Sequence, residues 1–232
     1  MRILKNILIY ALPALMLCNT SCDYLDKEPE NKVPEENVDF TQIENMYQAV
    51  SGVYAKVRTG GMHWVIWPLS VVRDDDVWSG RIDDQATLVD MGNYNYDRSF
   101  WGLNEMWNQY YGILTVATAA LESLDSYAEN ITSDDDMTNY RSYCGEVRFL
   151  RAYAYYRLVQ AFGPVTILRN NTQTDMTRST INAVYKYVLE DLQYTMDHTP
   201  RLRPNEMANY GAVTAFSAEM LEAKIDVNQG NY

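Results

Sequence analysis

From residue 39 to the end of the chain, apolar residues recur at helical spacing in five stretches, and no stretch alternates convincingly at period two. Ile43, Met46, Tyr47, Val50, Val53, Tyr54 and Val57 form one stripe with i, i+3, i+4 spacing. Asp39 with Gln42 resembles a capping pair at its start, and Gly60-Gly61 ends it. A second helix is predicted over 104–128, carrying Met106, Trp107, Tyr110, Leu114, Leu121 and Leu124. The longest periodic stretch, 136–162, carries Tyr140, Tyr143, Val147, Leu150, Ala154, Leu158 and Phe162, and stops at Gly163-Pro164. A fourth helix starts from Thr180 (Ile181, Val184, Tyr185, Val188, Leu192), with Pro200 and Pro204 bracketing the turn after it. A fifth runs from about Asn209 through Val213, Phe216, Met220 and Ala223. The class is all-α, and small residues such as Ala152, Ala154 and Ala212 suit the close approach of stacked helix hairpins. Only residues 59–103 break the pattern, with His63, Trp64, Trp67, Trp78 and Trp101 among several Gly and Asp residues. So long an irregular insertion in a compact domain marks function or mobility.

The composition narrows the function classes. The 232 residues include 19 Lys or Arg against 31 Asp or Glu, a formal charge of −12. Nucleic acid is not expected as a partner, because phosphates must be met by clustered cations. Two His and three Cys leave little material for a zinc site, a Cys–His dyad or a Ser–His–Asp triad. The 19 Tyr and 5 Trp against 5 Phe are unusual. Such rings combine an apolar face with a polar edge, and suit either helix contacts or half-wet amphipathic ligands.

The first residues read as an address. Arg2 and Lys5 precede an apolar stretch from Ile7 to Leu17, long enough for a signal peptide and too short to span a bilayer. Asn19-Thr20-Ser21 then leads to Cys22. Small residues directly before a cysteine predict a bacterial lipoprotein signal peptide over 1–21, cleaved before Cys22 and acylated on that thiol. Asn19 departs from the Leu usual in this motif, and a secreted protein without lipid is the alternative. Residues 22–38, rich in Asp, Glu, Asn and Pro, read as an acidic tether. With Cys22 acylated, Cys144 is the only other mature cysteine, so no intramolecular disulfide is expected and the fold rests on its core. Cys144 itself, among apolar residues on a helix, reads as a buried inert thiol.

Several segments in order carry a family resemblance. Cys22-Asp23-Tyr24-Leu25-Asp26 with Glu28-Pro29 resembles the mature start of the SusD/RagB family of Bacteroidetes outer-membrane lipoproteins. Trp107-x-x-Tyr110-x-x-Ile113 resembles a helix of that family. The strongest match runs from Gly145-Glu146-Val147-Arg148-Phe149-Leu150-Arg151-Ala152-Tyr153-Ala154-Tyr155-Tyr156-Arg157 to Phe162-Gly163-Pro164-Val165. Asp191-Leu192 and Arg203-Pro204 follow in the family's order. The resemblance implies tetratricopeptide-like helical hairpins over 39–232, equivalent to the N-terminal half of a member and truncated at the C-terminus. It also implies a surface lipoprotein that captures oligosaccharide and serves a SusC-like TonB-dependent transporter. Where the family pattern reads Ala-Asn, this chain has Ala117-Thr118, so hydrogen bonding there is expected to differ.

Candidate ligand residues concentrate in the irregular insertion. Stacking on the C–H face of a sugar needs an exposed ring beside groups that orient hydroxyls. Asp74, Asp75, Trp78 and Arg81 place carboxylates, an indole and a guanidinium in one loop, and Trp101 with Asn104 adds an indole and an amide at the next helix start. Members of the family bind glycan near the corresponding loops. Each residue also has a structural reading: Asn104 as an N-cap, Arg81 as a surface ion-pair partner, Trp101 as a core residue. Asp134-Asp135-Asp136 fits no calcium loop and suits a helix N-terminus, so no metal or other cofactor is expected. His63 and His198 stand apart from each other and from Cys144, which favours structural roles.

The leading expectation is a non-catalytic glycan-binding lipoprotein on the bacterial outer membrane, facing the exterior. The alternatives are a helical-repeat scaffold that binds a protein partner, a truncated remnant without binding activity, and a glycoside hydrolase. The last requires two carboxyl groups about 5–10 Å apart, and no segment singles out such a pair. In a chain ending at the fifth helix, Val213, Phe216 and Met220 are expected to face water.

Overall fold

The structure, a computed structural model, describes residues 38–61 and 66–231. The predicted leader, Cys22 and nearly all of the tether lie outside the described residues, as do His63 and Trp64. The described residues form seven α-helices: α1 (Tyr47–Lys56), α2 (Ile66–Val71), α3 (Ile82–Gly92), α4 (Trp101–Ala128), α5 (Asp134–Phe162), α6 (Ile181–His198) and α7 (Ala215–Gln229). Among them the only β pairing is an isolated antiparallel bridge between Val165 and Ser179. Helices adjacent in sequence pack on one another from α4 through α7, and α1 lies against α4 and α5.

The three longest helices fall where the apolar period places them. Tyr110, Leu114 and Leu124 of α4, Val147, Leu150, Ala154 and Leu158 of α5, and Val184, Val188 and Leu192 of α6 are all buried. The ends follow local chemistry. Ser133 caps α5 by accepting the Asp136 N–H at 3.0 Å, and the Asp136 carboxylate accepts the Ser133 hydroxyl at 2.6 Å. The Asp134–Asp136 run thus sits on the electropositive end of a helix. Gly163, at φ 70°, ends α5 in the left-handed region.

Three boundaries differ from the periodic reading. α1 begins after a 3-10 turn at Ile43–Asn45 whose N-cap, Gln42, makes no side-chain cap bond, and it runs on into a π turn through Gly61. The segment 59–103 is not wholly irregular, since α2 and α3 lie within it. Both are short, and the apolar residues Leu88, Val89 and Met91 of α3 fall within little more than a single turn. α7 starts at Ala215, behind a capping box of Thr214 and Ser217, and buries Ala215, Ala218, Leu221 and Ile225. Phe216 and Met220 are exposed, as expected of an open face, but Val213 is buried ahead of the helix. Phe216 and Met220 suggested the wrong stripe, because the buried face of α7 begins with the small Ala215 and Ala218 before Leu221 and Ile225.

The segment from Gly145 to Arg157 is the framework of the fold. At Gly145 a Cβ would stand 2.6 Å from Thr199 Cγ2, so glycine permits the close approach of α5 and α6. Thr195 confirms that proximity by donating its hydroxyl to the Gly145 carbonyl at 2.8 Å. Arg151 grips buried Asp191 through two 2.8 Å bonds, and Arg148 adds a 3.4 Å contact to the same carboxylate. Arg148 also lies over the Tyr194 ring at 4.1 Å, and Tyr194 stacks on His198. Tyr155 accepts the Leu168 N–H, and Arg157 donates to Tyr110 on α4 and Ser70 on α2. Glu146 accepts the Tyr54 hydroxyl at 2.6 Å, and that hydroxyl accepts the Val213 N–H at 2.8 Å.

Two residues singled out in the sequence take structural positions. Cys144 is buried and unbridged, and burial pushes its thiol up to about 11, which suppresses thiolate chemistry. Thr118, at the departure from the family pattern, is buried with a hydroxyl that finds no hydrogen-bond partner among the described residues.

Candidate functional site

A cavity of about 510 Å³ opens between α3 and the start of α4, around the connecting segment 93–100. Its walls include Thr87 and Asp90 of α3, Tyr94, Asn95 and Asp97 of the connection, and Trp101 of α4. Rings and hydrogen-bonding groups therefore meet in one concavity, the arrangement suited to an amphipathic small ligand.

Tyr94 is held in an unusual backbone state. α3 closes with the Tyr94 N–H on the Met91 carbonyl at 3.2 Å and the Asn95 N–H on the Asp90 carbonyl at 2.8 Å. This closure requires a left-handed residue just past the helix, a place usually held by glycine. Here it is Tyr94, at φ 57°, the only non-glycine residue with positive φ among those described. A side chain at that φ costs about 1–2 kcal/mol. The ring is 60% exposed, with the Arg73 guanidinium 4.8 Å above it, and its hydroxyl reaches the Arg73 carbonyl at 3.4 Å. Strain retained for an exposed ring beside a cavity points to a use for that ring.

The remaining walls are set by short-range bonds. Asp97 accepts the Ser99 N–H at 2.7 Å and the Ser99 hydroxyl at 2.6 Å. Those two bonds hold its carboxyl below the usual range. Asn95 donates its amide to the Asp90 carboxylate at 3.2 Å. The Trp101 indole N–H points to the Thr87 hydroxyl at 3.4 Å, and its ring stacks beside Phe100. Gly102 allows this packing, because a Cβ there would stand 2.6 Å from the Phe100 ring and 2.8 Å from Leu69. Trp101 remains 46% exposed, so it is no core residue.

Of the residues read from the sequence, the structure brings Trp101 to the cavity wall. Asn104 is exposed in the first turn of α4 and is not its N-cap, because the helix starts at Trp101 after Phe100. Asp74, Asp75 and Trp78 are exposed on the loop between α2 and α3, with Trp78 at 80%. Arg81 precedes α3 and pairs with Asp83 at 3.1 Å in a highly exposed ion pair. None of these five lines the cavity; their loop meets it at Arg73, against Tyr94. The reading from sequence passed over Tyr94, Asn95, Asp97, Thr87 and Asp90. Its available signal was the run Asn93-Tyr94-Asn95-Tyr96-Asp97 directly after Gly92, an alternation of polar and aromatic residues too short and too polar to read as a strand. Among the described residues no cluster of three or more His, Cys, Asp or Glu could hold a metal ion, and no helix is long and apolar enough to cross a membrane.

Known proteins resemble this chain in sequence and fold. A SusD-like protein of Bacteroides ovatus is 23% identical over 230 residues, which cover 95% of this chain and 39% of that protein. A SusD superfamily protein from Bacteroides vulgatus superposes with a TM-score of 0.70 at 17% identity, over 84% of this chain and 41% of that one. A laminarin-binding SusD-like protein superposes with a TM-score of 0.65 at 21% identity, over 81% of this chain and 40% of that one. The chain thus spans about two fifths of the length of these relatives, which agree with its helical fold. A SusD-like family model, described as starch-binding and associating with the outer membrane, matches residues 23–219, nearly all that follows the predicted leader. The chain belongs to the SusD-like family.

Proposed function

We propose that this chain is part of a non-catalytic, surface-exposed lipoprotein that captures a neutral oligosaccharide and delivers it to a SusC-like TonB-dependent transporter. Lipid on Cys22 would hold it at the outer membrane. The observation that carries the binding reading is the cavity where Tyr94 and Trp101 stand among Thr87, Asp90, Asn95 and Asp97. Exposed rings offer faces for sugar C–H groups, while carboxylates accept from hydroxyls and the amide both donates and accepts. The family description and the laminarin-binding relative support the same ligand class. Trp101 is the inner contact in this proposal. Asp74, Asp75, Trp78 and Arg81 on the neighbouring loop, with Asn104 one turn along α4, serve longer glycans as outer contacts.

Native electrophoresis through gels containing starch, laminarin or xyloglucan tests this. Retention of the wild type by at least one polysaccharide is expected, with Trp101→Ala weakening it about tenfold. Trp78→Ala is expected to cost less, and only with long chains. No retention by any of the three, or full retention by Trp101→Ala, would overturn the assignment.

A further inference from the structure

A second cleft, on the far side of the sequence, has similar chemistry. It measures about 310 Å³, within the lower range for small-molecule sites, and its walls include Tyr47 and Ser51 of α1, Tyr54, and Asn209-Tyr210 of the loop before α7. The loop is shaped by its own backbone bonds. The Gly211 N–H reaches the Pro204 carbonyl and the Ala212 N–H the Asn209 carbonyl, both at 3.0 Å. Gly211 turns at φ 83°, and Tyr210 beside it is 86% exposed, the most exposed large hydrophobic residue among those described. Nothing lies within 4 Å of a Cβ built at Gly211, so the turn itself is open.

The walls are polar without being charged. The Asn209 amide and the Tyr47 phenol share the cleft wall. The Tyr54 hydroxyl is fixed between Glu146 and the Val213 N–H. Burial pushes the Tyr47 phenol up to about 12, and Tyr54 is raised as well, so both stay neutral in ordinary buffers. Phenol, hydroxyl and amide groups can each donate and accept, which matches the hydroxyls of a neutral sugar and offers nothing to an ion.

We infer that the cleft between α1 and the Asn209–Ala212 loop is a second sugar-binding point, taking one neutral pyranose unit against the Tyr210 ring. It rests on the glycan-binding reading above and extends it: a long glycan touches this chain at two places. Binding at each is weak, and retention of a polysaccharide depends on both.

The test follows ring signals of Tyr210 and the indole signal of Trp101 by NMR on the full chain, assigned with Tyr210→Phe and Trp101→Phe. The probes are oligosaccharides of glucose, galactose, mannose and xylose, each titrated to tens of millimolar. Saturable movement of the Tyr210 signals with at least one probe is expected, and Tyr210→Ala should weaken that binding about five- to tenfold. Movement at Trp101 with Tyr210 still would overturn the second point and leave the first. Movement at Tyr210 with Trp101 still would support the second point and overturn the first. If neither moves with any probe, both fall.

Discussion

Glu146 allows a quantitative test of the packing. Glu146 is 2% exposed near the middle of α5, and its carboxylate accepts a hydrogen bond from the Tyr54 hydroxyl. It faces Tyr47 and Tyr54 of α1 and Tyr143 of its own helix, and no ion pair among the described residues includes it. Burial raises its carboxyl from 4.5 to about 7, opposed only in part by the Tyr54 bond. Because the folded value is raised, the stabilising contribution is complete below pH 4.5 and lost as pH rises to 7. At about 1.4 kcal/mol per pH unit, the loss approaches ~3 kcal/mol. In Glu146→Gln the amide oxygen still accepts the Tyr54 hydroxyl and no charge can form. Any constant offset of the substitution cancels when the variant is compared with the wild type at two pH values. From pH 4 to pH 8 the stability difference should therefore move toward the variant by about 3 kcal/mol, or roughly 6–12 °C in melting temperature. Urea and thermal melts of both proteins at those pH values measure it. Parallel pH profiles would refute the reasoning and place Glu146 in contact with water or an unseen partner.

Three further predictions concern single contacts. Tyr94→Gly relieves the left-handed strain while removing the Arg73 contact, so stability in urea should stay within about 1 kcal/mol of wild type while glycan retention falls; a large loss of stability would make Tyr94 structural. Thr118→Val replaces a buried hydroxyl lacking a partner by a methyl of similar shape, and should stabilise by up to about 2 kcal/mol; destabilisation in urea melts would reveal a hidden hydrogen bond. Asp191→Ala leaves Arg151 buried and uncompensated and should cost about 3–5 kcal/mol, with Arg151→Met/Asp191→Leu recovering most of it; equal melting of the single and double variants would contradict that account.

Burial explains how much was legible in the sequence. The long helices α4, α5 and α6 could be read because each buries a stripe of large apolar residues, such as Val184, Val188 and Leu192, against its neighbours. α7 gave a stripe on the wrong side because its buried face combines the small Ala215 and Ala218 with Leu221 and Ile225, while Phe216 and Met220 lie outside. Hydrophobicity does not report close packing by small residues. α3 was missed for a different reason: it is short, and its apolar residues Leu88, Val89 and Met91 fall in little more than one turn among the cavity residues Thr87 and Asp90. Trp101 could be found from its residue type alone. Tyr94 could not, because its distinguishing feature is a backbone angle forced by the closure of α3.

The segment that carries the family resemblance does not line the cavity, yet it governs the cavity's precision. Arg157, near the end of α5, donates to Tyr110 of α4 at 3.2 Å and to Ser70 of α2 at 3.1 Å. α2 in turn seats Leu69 against Gly102, one residue past Trp101, and the Val72 carbonyl lies where a side chain at Gly92 would go. Both edges of the 93–100 connection are therefore pinned to helices that are buried for their own reasons. A rigid floor of this kind lets a strained, exposed tyrosine persist at the rim, because the core fixes the backbone around it. Within the connecting segment Tyr96 and Phe100 take up the packing, which leaves Tyr94, Asn95 and Asp97 exposed. Under the glycan-binding proposal, the composition of these exposed positions can follow the ligand, which is why the proposed site lies where the hydrophobic pattern falls silent.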